Sequence, residues 1–464
     1  MKKKLLFVFS FIFIFAISLF GCGAISLNGG PNIKDTVYGN GSNAVVKGNY
    51  LYFSNAYLDY TSLSQGQNEY NKEELKVYGI YRTKLAKNGV VAVDENGNPK
   101  NAELLVPLAS GFENSGIYIC GKYLYYTTVY TEYETGGNTD ETKGFLNFER
   151  VDLNGQNRKT LSEKGDFKVD CEYSINYVNG TTYITILSDG KITVIRSKND
   201  DTDKYQIASS VSDMCTASQQ EIVYNKAEEE VNKYVYYTKT ENNKYSLYRK
   251  TFANGTEETL INVSSEEITL EAVKNNRVYY KEGNILKSSN FEEDKTSKTY
   301  CALSLSENNE NGAVEYIILN DTYGYGLDKG IAVLYYSGSN YYLVLYNGVG
   351  TSRILLSNDK QITILFATGN KIFYQITEND ALYSVDIANG ETKTVISKFS
   401  SELAYDFDSE RVYFFDTVEN SNGKLSYLQI ALLNNNIYKN ENSESVAQYI
   451  GVLDSSDVVK KDEK

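Results

Sequence analysis

Short stretches of apolar and polar residues, broken by turn dipeptides, fill most of the chain, and one unit keeps returning. A turn pair precedes a strand pattern rich in aromatics: Gly48-Asn49 before Leu51-Tyr52-Phe53, and Gly121-Lys122 before Leu124-Tyr125-Tyr126. Asn275-Asn276 stands before Val278-Tyr279-Tyr280, Gly369-Asn370 before Ile372-Phe373-Tyr374, and Asp408-Ser409 before Val412-Tyr413-Phe414. Val235-Tyr236-Tyr237, Leu334-Tyr335-Tyr336 and a weaker Thr182-Tyr183-Ile184 complete the series. Tyr, Phe, Val, Ile and Thr between turns suit a pleated, half-buried surface.

Each copy is followed by a second strand pattern, such as Ile80-Tyr81-Arg82, Phe148-Glu149-Arg150, Leu247-Tyr248-Arg249 or Leu382-Tyr383-Ser384. Several of these run into Asn-Gly pairs (Asn154-Gly155, Asn254-Gly255, Asn389-Gly390) and then a third strand. Asn-Gly is the preferred pair of a type I′ hairpin, with positive φ at both central residues. The anchors Tyr52, Tyr125, Tyr183, Tyr236, Tyr279, Tyr335, Tyr374 and Tyr413 recur at intervals from 39 residues (Tyr374 to Tyr413) to 73 (Tyr52 to Tyr125). A four-stranded blade needs about 40–50 residues, so the pattern predicts an all-β propeller of four-stranded antiparallel blades over residues 37–453. Eight anchors predict eight blades, with seven as the alternative because the Tyr183 copy is degenerate. The polar stretches 56–77, 131–143 and 199–232 are expected to be insertions, the last containing Lys226–Lys233, a stretch that could take a turn of helix. Residues 447–453 are a candidate closing strand, and residues 454–464 a charged, frayed tail.

The amino terminus has a different pattern. Lys2, Lys3 and Lys4 precede an apolar run from Leu5 to Phe20, then Gly21 and Cys22. A basic start, a short apolar core and a small residue before the cut form the secretory signal pattern. Sixteen residues reach about 24 Å as a helix, short of the roughly 30 Å hydrocarbon core. Leu19-Phe20-Gly21-Cys22 resembles the lipobox of bacterial lipoproteins, which implies a signal peptide over residues 1–21, cleavage after Gly21 and a diacylglyceryl anchor on Cys22. An ordinary cleaved signal and an uncleaved anchor helix are the alternatives. Residues 22–36 are expected to be a flexible tether, and the chain to lie on the extracytoplasmic face of the cell membrane.

The repeats also resemble bacterial relatives of the low-density-lipoprotein-receptor propeller, with Tyr-Trp-Thr-Asp and Leu-Asp-Gly motifs. Tyr125-Tyr126-Thr127-Thr128 and Tyr236-Tyr237-Thr238-Lys239 keep the first and third residues, Tyr413-Phe414-Phe415-Asp416 the first and the acid, and Leu153-Asn154-Gly155 stands where Leu-Asp-Gly would. Tryptophan is absent from the chain. The resemblance implies a propeller with a binding surface and transfers no catalytic residue.

Composition removes several functions. With no histidine there is no Ser-His-Asp or Cys-His machinery and no imidazole metal ligand. A formal charge of −14 argues against nucleic acid, and loss of residues 1–21, with three lysines and no acid, would leave −17. Cys120, Cys171, Cys215 and Cys301 read as buried thiols, with one disulfide or a metal site as alternatives. Asp94, Asn96 and Asn98, and Asp200, Asp201 and Asp203, are weak calcium candidates that lack the rest of an EF-hand pattern. No cofactor is implied. Most tyrosines read as core; Tyr57, Tyr60, Tyr130, Tyr133, Tyr323 and Tyr325 are loop candidates for contact with a protein, peptide or glycan. The expected role is a binding or scaffolding module. The alternatives are a carboxylate-pair hydrolase such as a glycosidase, which needs two converging acids, and a transporter-associated solute receptor, which needs two α/β lobes.

Overall fold

A computed structural model describes residues 37–39, 44–54, 79–85, 102–107, 116–134, 141–217, 233–253, 258–274, 277–290, 299–304, 313–319, 330–346, 352–368, 370–377, 379, 381–396, 403–406, 411–420, 423–432 and 448–449. These residues form antiparallel sheets in chain order. After β1 (Val37–Tyr38), the first sheet is β2 (Ala44–Lys47), β3 (Tyr50–Ser54), β4 (Ile80–Lys84) and β5 (Glu103–Val106). The second is β6 (Tyr118–Cys120), β7 (Tyr123–Glu134) and β8 (Glu141–Asp152), with β9 (Lys159–Thr160) and β10 (Phe167–Lys168) along its outer edge and β1 on its inner edge.

The third sheet is β11 (Glu172–Val178), β12 (Thr181–Ser188), β13 (Lys191–Lys198) and β14 (Asp201–Ser209). The fourth is β15 (Val211–Thr216), β16 (Tyr234–Glu241), β17 (Lys244–Thr251) and β18 (Glu258–Ser264). The fifth is β19 (Ile268–Lys274), β20 (Arg277–Glu282), β21 (Ile285–Asn290) and β22 (Thr299–Ser304). The sixth is β23 (Ala313–Ile318), β24 (Ile331–Ser337), β25 (Asn340–Tyr346) and β26 (Ser352–Asn358). The seventh is β27 (Ile362–Thr368), β28 (Lys371–Ile376), β29 (Leu382–Asp386) and β30 (Thr392–Ile396). The eighth is β31 (Leu403–Asp406), β32 (Arg411–Asn420), β33 (Gly423–Leu432) and β34 (Gln448–Tyr449).

Four-stranded meanders following one another in this way are the blades of a β-propeller. Each of the eight anchor tyrosines falls in the second strand of a different sheet. The inner strands run in the same direction. A parallel bridge joins Ala217 to Val273, Asn176 near the end of β11 donates to the Ala217 carbonyl, and Lys47 at the end of β2 donates to the Gly121 carbonyl after β6.

The core lies between sheets. Val45, Tyr52 and Ile80 of the first pack with Ile119, Leu124 and Tyr126 of the second. Tyr125 and Phe148 pack with Ile184 and Ile195 across the next joint, and Ile192 and Val194 with Val235 and Tyr237 across the third. Tyr236 with Tyr280, Leu286 with Val333, and Leu343 with Tyr374 continue the series to the seventh sheet. Burying the flat faces this way leaves short outer edges to water. Tyr183 is only partly buried, in keeping with its weaker repeat.

Several expectations change. Residues 131–134 and 141–143 belong to a long two-stranded ribbon, with Glu134 paired to Glu141, and are not simply an insertion. Residues 201–209 are the outer strand of the third sheet and 211–216 the inner strand of the fourth; an acidic outer strand is only half covered, which hid it in the sequence. Residues 448–449 pair with β33, so the late strand completes its own sheet. Type I′ geometry occurs at Asn179-Gly180, Asp189-Gly190, Asn242-Asn243 and Gly338-Ser339, where both residues have positive φ. At Asn154-Gly155 and Asn389-Gly390 only the glycine does. Those two glycines close wider loops and lie against the outer strand of the preceding sheet; an added Cβ would come within 3.2 Å of Leu105 Cα at Gly155 and 3.0 Å of the Leu355 carbonyl at Gly390. Asn254-Gly255, residues 56–77, Lys226–Asn232 and the 454–464 tail lie outside the described residues.

Candidate functional site

Four consecutive inner strands each carry an acid: Glu172 at the start of β11, Asp213 within β15, Glu271 at the middle of β19 and Glu315 within β23. Bulges set their aim, since the register slips between Val211 and Asp213, Leu270 and Ala272, and Ala313 and Glu315. Asp213 Oδ2 accepts the Leu270 amide at 2.6 Å, and Glu315 Oε2 accepts the Ile364 amide at 2.8 Å. Both amides precede a bulge on the next sheet's inner strand, so the carboxylates satisfy donors that no ladder partner could reach.

Burial raises the carboxyl pKa of Asp213, of Glu315 and of Glu172; for Glu172 the nearby Asp213 charge adds to the effect. Glu172 and Asp213 thus lie close enough for one carboxylate to feel the other's charge, as the members of a catalytic pair do. Glu271 is 3.9 Å from Lys281. Among the described residues no three acid or thiol groups are arranged to hold a metal ion.

The candidates read from the sequence are dispersed. Cys22, Asp94, Asn96, Asn98, Tyr57, Tyr60, Tyr323 and Tyr325 lie outside the described residues. Asp201 and Asp203 both bind Arg196, at 2.6 and 2.5 Å, while Asp200 lies 3.7 Å from Arg150; this cluster holds guanidinium groups. Cys120 and Cys171 are buried free thiols, both pushed up to about 12 chiefly by desolvation, which makes them poor nucleophiles. Cys215 is a partly buried thiol that donates to the Thr216 carbonyl at 3.7 Å, and Cys301 sits in β22 opposite Ser288. Tyr130 and Tyr133 are in β7 and not in a loop.

Sequence reading missed a recurring arginine. Arg82, Arg150 and Arg249 pair in register with Tyr52, Tyr125 and Tyr236. Each guanidinium lies over the ring two residues earlier on that neighbouring strand, 5.2 Å from Tyr50, 4.1 Å from Tyr123 and 4.7 Å from Tyr234. Arg82 reaches the Leu153 carbonyl of the second sheet at 2.6 Å, and buried Arg150 reaches Ser197 of the third at 3.0 Å. The signal was present as Tyr-x-Tyr followed by a strand with Arg two residues before its end. Glu149, 5% exposed, is held by Tyr126, Thr128 and Arg158 at 2.9, 3.0 and 2.5 Å, a satisfied buried carboxylate with its donors already committed.

Comparison with known proteins yields no matching family and no matching curated protein. Solved structures that resemble the chain include an oligogalacturonate lyase in complex with manganese (12% identity, TM-score 0.40, covering 68% of this chain and 97% of that one). A chain of a nidogen/laminin complex has 10% identity and TM-score 0.29, covering 57% of this chain and 92% of that one. TolB from Acinetobacter baumannii has 12% identity and TM-score 0.30, covering 53% of this chain and 58% of its own.

Proposed function

We propose that this β-propeller protein is a lipid-anchored binding or scaffolding module on the extracytoplasmic face of the membrane, built as one ring of eight blades. The observation that carries the anchor is Lys2–Lys4, the apolar run to Phe20, and Cys22 directly after Gly21. Two acyl chains suffice for stable attachment where one is marginal. The ring of eight is supported by eight sheets, each with one anchor tyrosine in its second strand. A display role is supported by how the described charged groups are used: Glu149, Arg150, Arg196, Asp213 and Glu315 all tie strand to strand. Labelled palmitate should enter the wild-type protein and not Cys22→Ala; equal labelling of both would refute the anchor. A peptide and glycan array probed with the protein should return a defined ligand class.

Glu172 and Asp213 favour a second reading, a carboxylate hydrolase. Under that reading Glu172→Gln lowers hydrolysis of a chromogenic glycoside panel at least 100-fold. No activity, or activity unchanged by the substitution, would remove it.

A further inference from the structure

β1 fixes where the chain meets the propeller. Val37 pairs with Cys120 and Tyr38 with Ile119, so β1 runs antiparallel to β6 along the inner edge of the second sheet. Its start, Val37, therefore lies at the end of the fold where inner strands turn into second strands, beside Gly121-Lys122. The residues before Val37 join the body there, close to the axis.

We infer that the end bearing the first-to-second turns is the face turned toward the bilayer, and that the opposite end, with the long β7–β8 ribbon, is presented outward. This rests on acylation of Cys22. From Cys22 to Val37 the chain spans at most about 50 Å fully extended, and about 20 Å root-mean-square as a coil. A body of this size has a radius of gyration of roughly 22 Å, so turning over would require the link to cross from axis to rim and down the side almost fully stretched.

The test uses the acylated full chain on phosphatidylglycerol-containing vesicles, with a biotin-acceptor peptide inserted in one turn at a time. Asn179-Gly180 marks the near end and Asp189-Gly190 the far end; Gly48-Asn49 and Asn242-Asn243 form a second pair in case one turn tolerates no insertion. Streptavidin association is compared with that of the same insertion in soluble Cys22→Ala. Near-end sites should slow at least 10-fold on vesicles while far-end sites change less than 2-fold. Equal slowing, or slowing of the far end alone, overturns the orientation while Cys22-dependent palmitate labelling leaves the anchor standing. Loss of that dependence overturns both.

Discussion

The joints among sheets one to three differ from those among sheets four to seven. In the first region cations reach forward: Arg82 to the Leu153 carbonyl, Arg150 to Ser197, and Lys159 to Thr202 and the Asp200 carbonyl. In the second region inner-strand carboxylates clasp amides, Asp213 to Leu270 and Glu315 to Ile364, though Arg353 also reaches the Ile387 and Ala388 carbonyls. Apolar packing is common to both, so polar groups add specificity to a contact that desolvation already favours. The lesson is that one repeated backbone accepts opposite charges at its joints provided every buried donor or acceptor is matched.

Arg150→Ala should produce the largest effect. It removes a guanidinium 4.1 Å from the Tyr123 ring and a bond to Ser197 at a position only 2% exposed. A loss of about 3 kcal/mol is expected, from packing as well as hydrogen bonding, and Arg150→Lys should recover little because it lacks the fork. Urea unfolding would measure both; a loss under 1 kcal/mol would make the cationic joints ornamental.

Asp213→Ala should cost about 2 kcal/mol by orphaning the Leu270 amide, whereas Asp213→Asn keeps an acceptor and should lie close to wild type. If alanine and asparagine melt together, the clasp is not what holds sheets four and five. Arg82→Ala should cost about 1 kcal/mol, since its Glu103 partner is exposed and screened.

The smallest effect separates the regions by pH. The folded-state pKa values of Asp213 and Glu315 are raised, so the fold favours their protonated forms. Their contribution is best at and below the ordinary carboxylate range and declines as pH rises through the raised values. Between pH 4 and 7, Asp213→Asn should therefore gain stability relative to wild type, while Arg82→Ala should not. Parallel curves for both variants would remove the distinction.

The second strands were legible because two adjacent aromatics after a turn demand a half-buried pleat, and the eight tyrosines located one sheet each. The β7–β8 ribbon was not, because beyond Tyr130 its pattern turns polar with Thr131, Glu132 and Glu134. The inner acids were equally hidden. The chain has 60 acidic residues, and the register slips beside Asp213, Glu271 and Glu315 that mark these three leave no trace in composition. Asp201 and Asp203 show the converse: a tempting oxygen cluster whose partner, Arg196, lies on the neighbouring strand.

Because β34 returns to β33, the last sheet is made wholly from the last stretch of polypeptide, just as the first four-stranded sheet is made from an early one. With β1 as the exception, each wedge is an uninterrupted sentence of the gene, its hairpins formed from near neighbours. Such a molecule can gain or lose a wedge by duplication or deletion without severing any strand pair, and newly made protein can complete one wedge before the next has been synthesised.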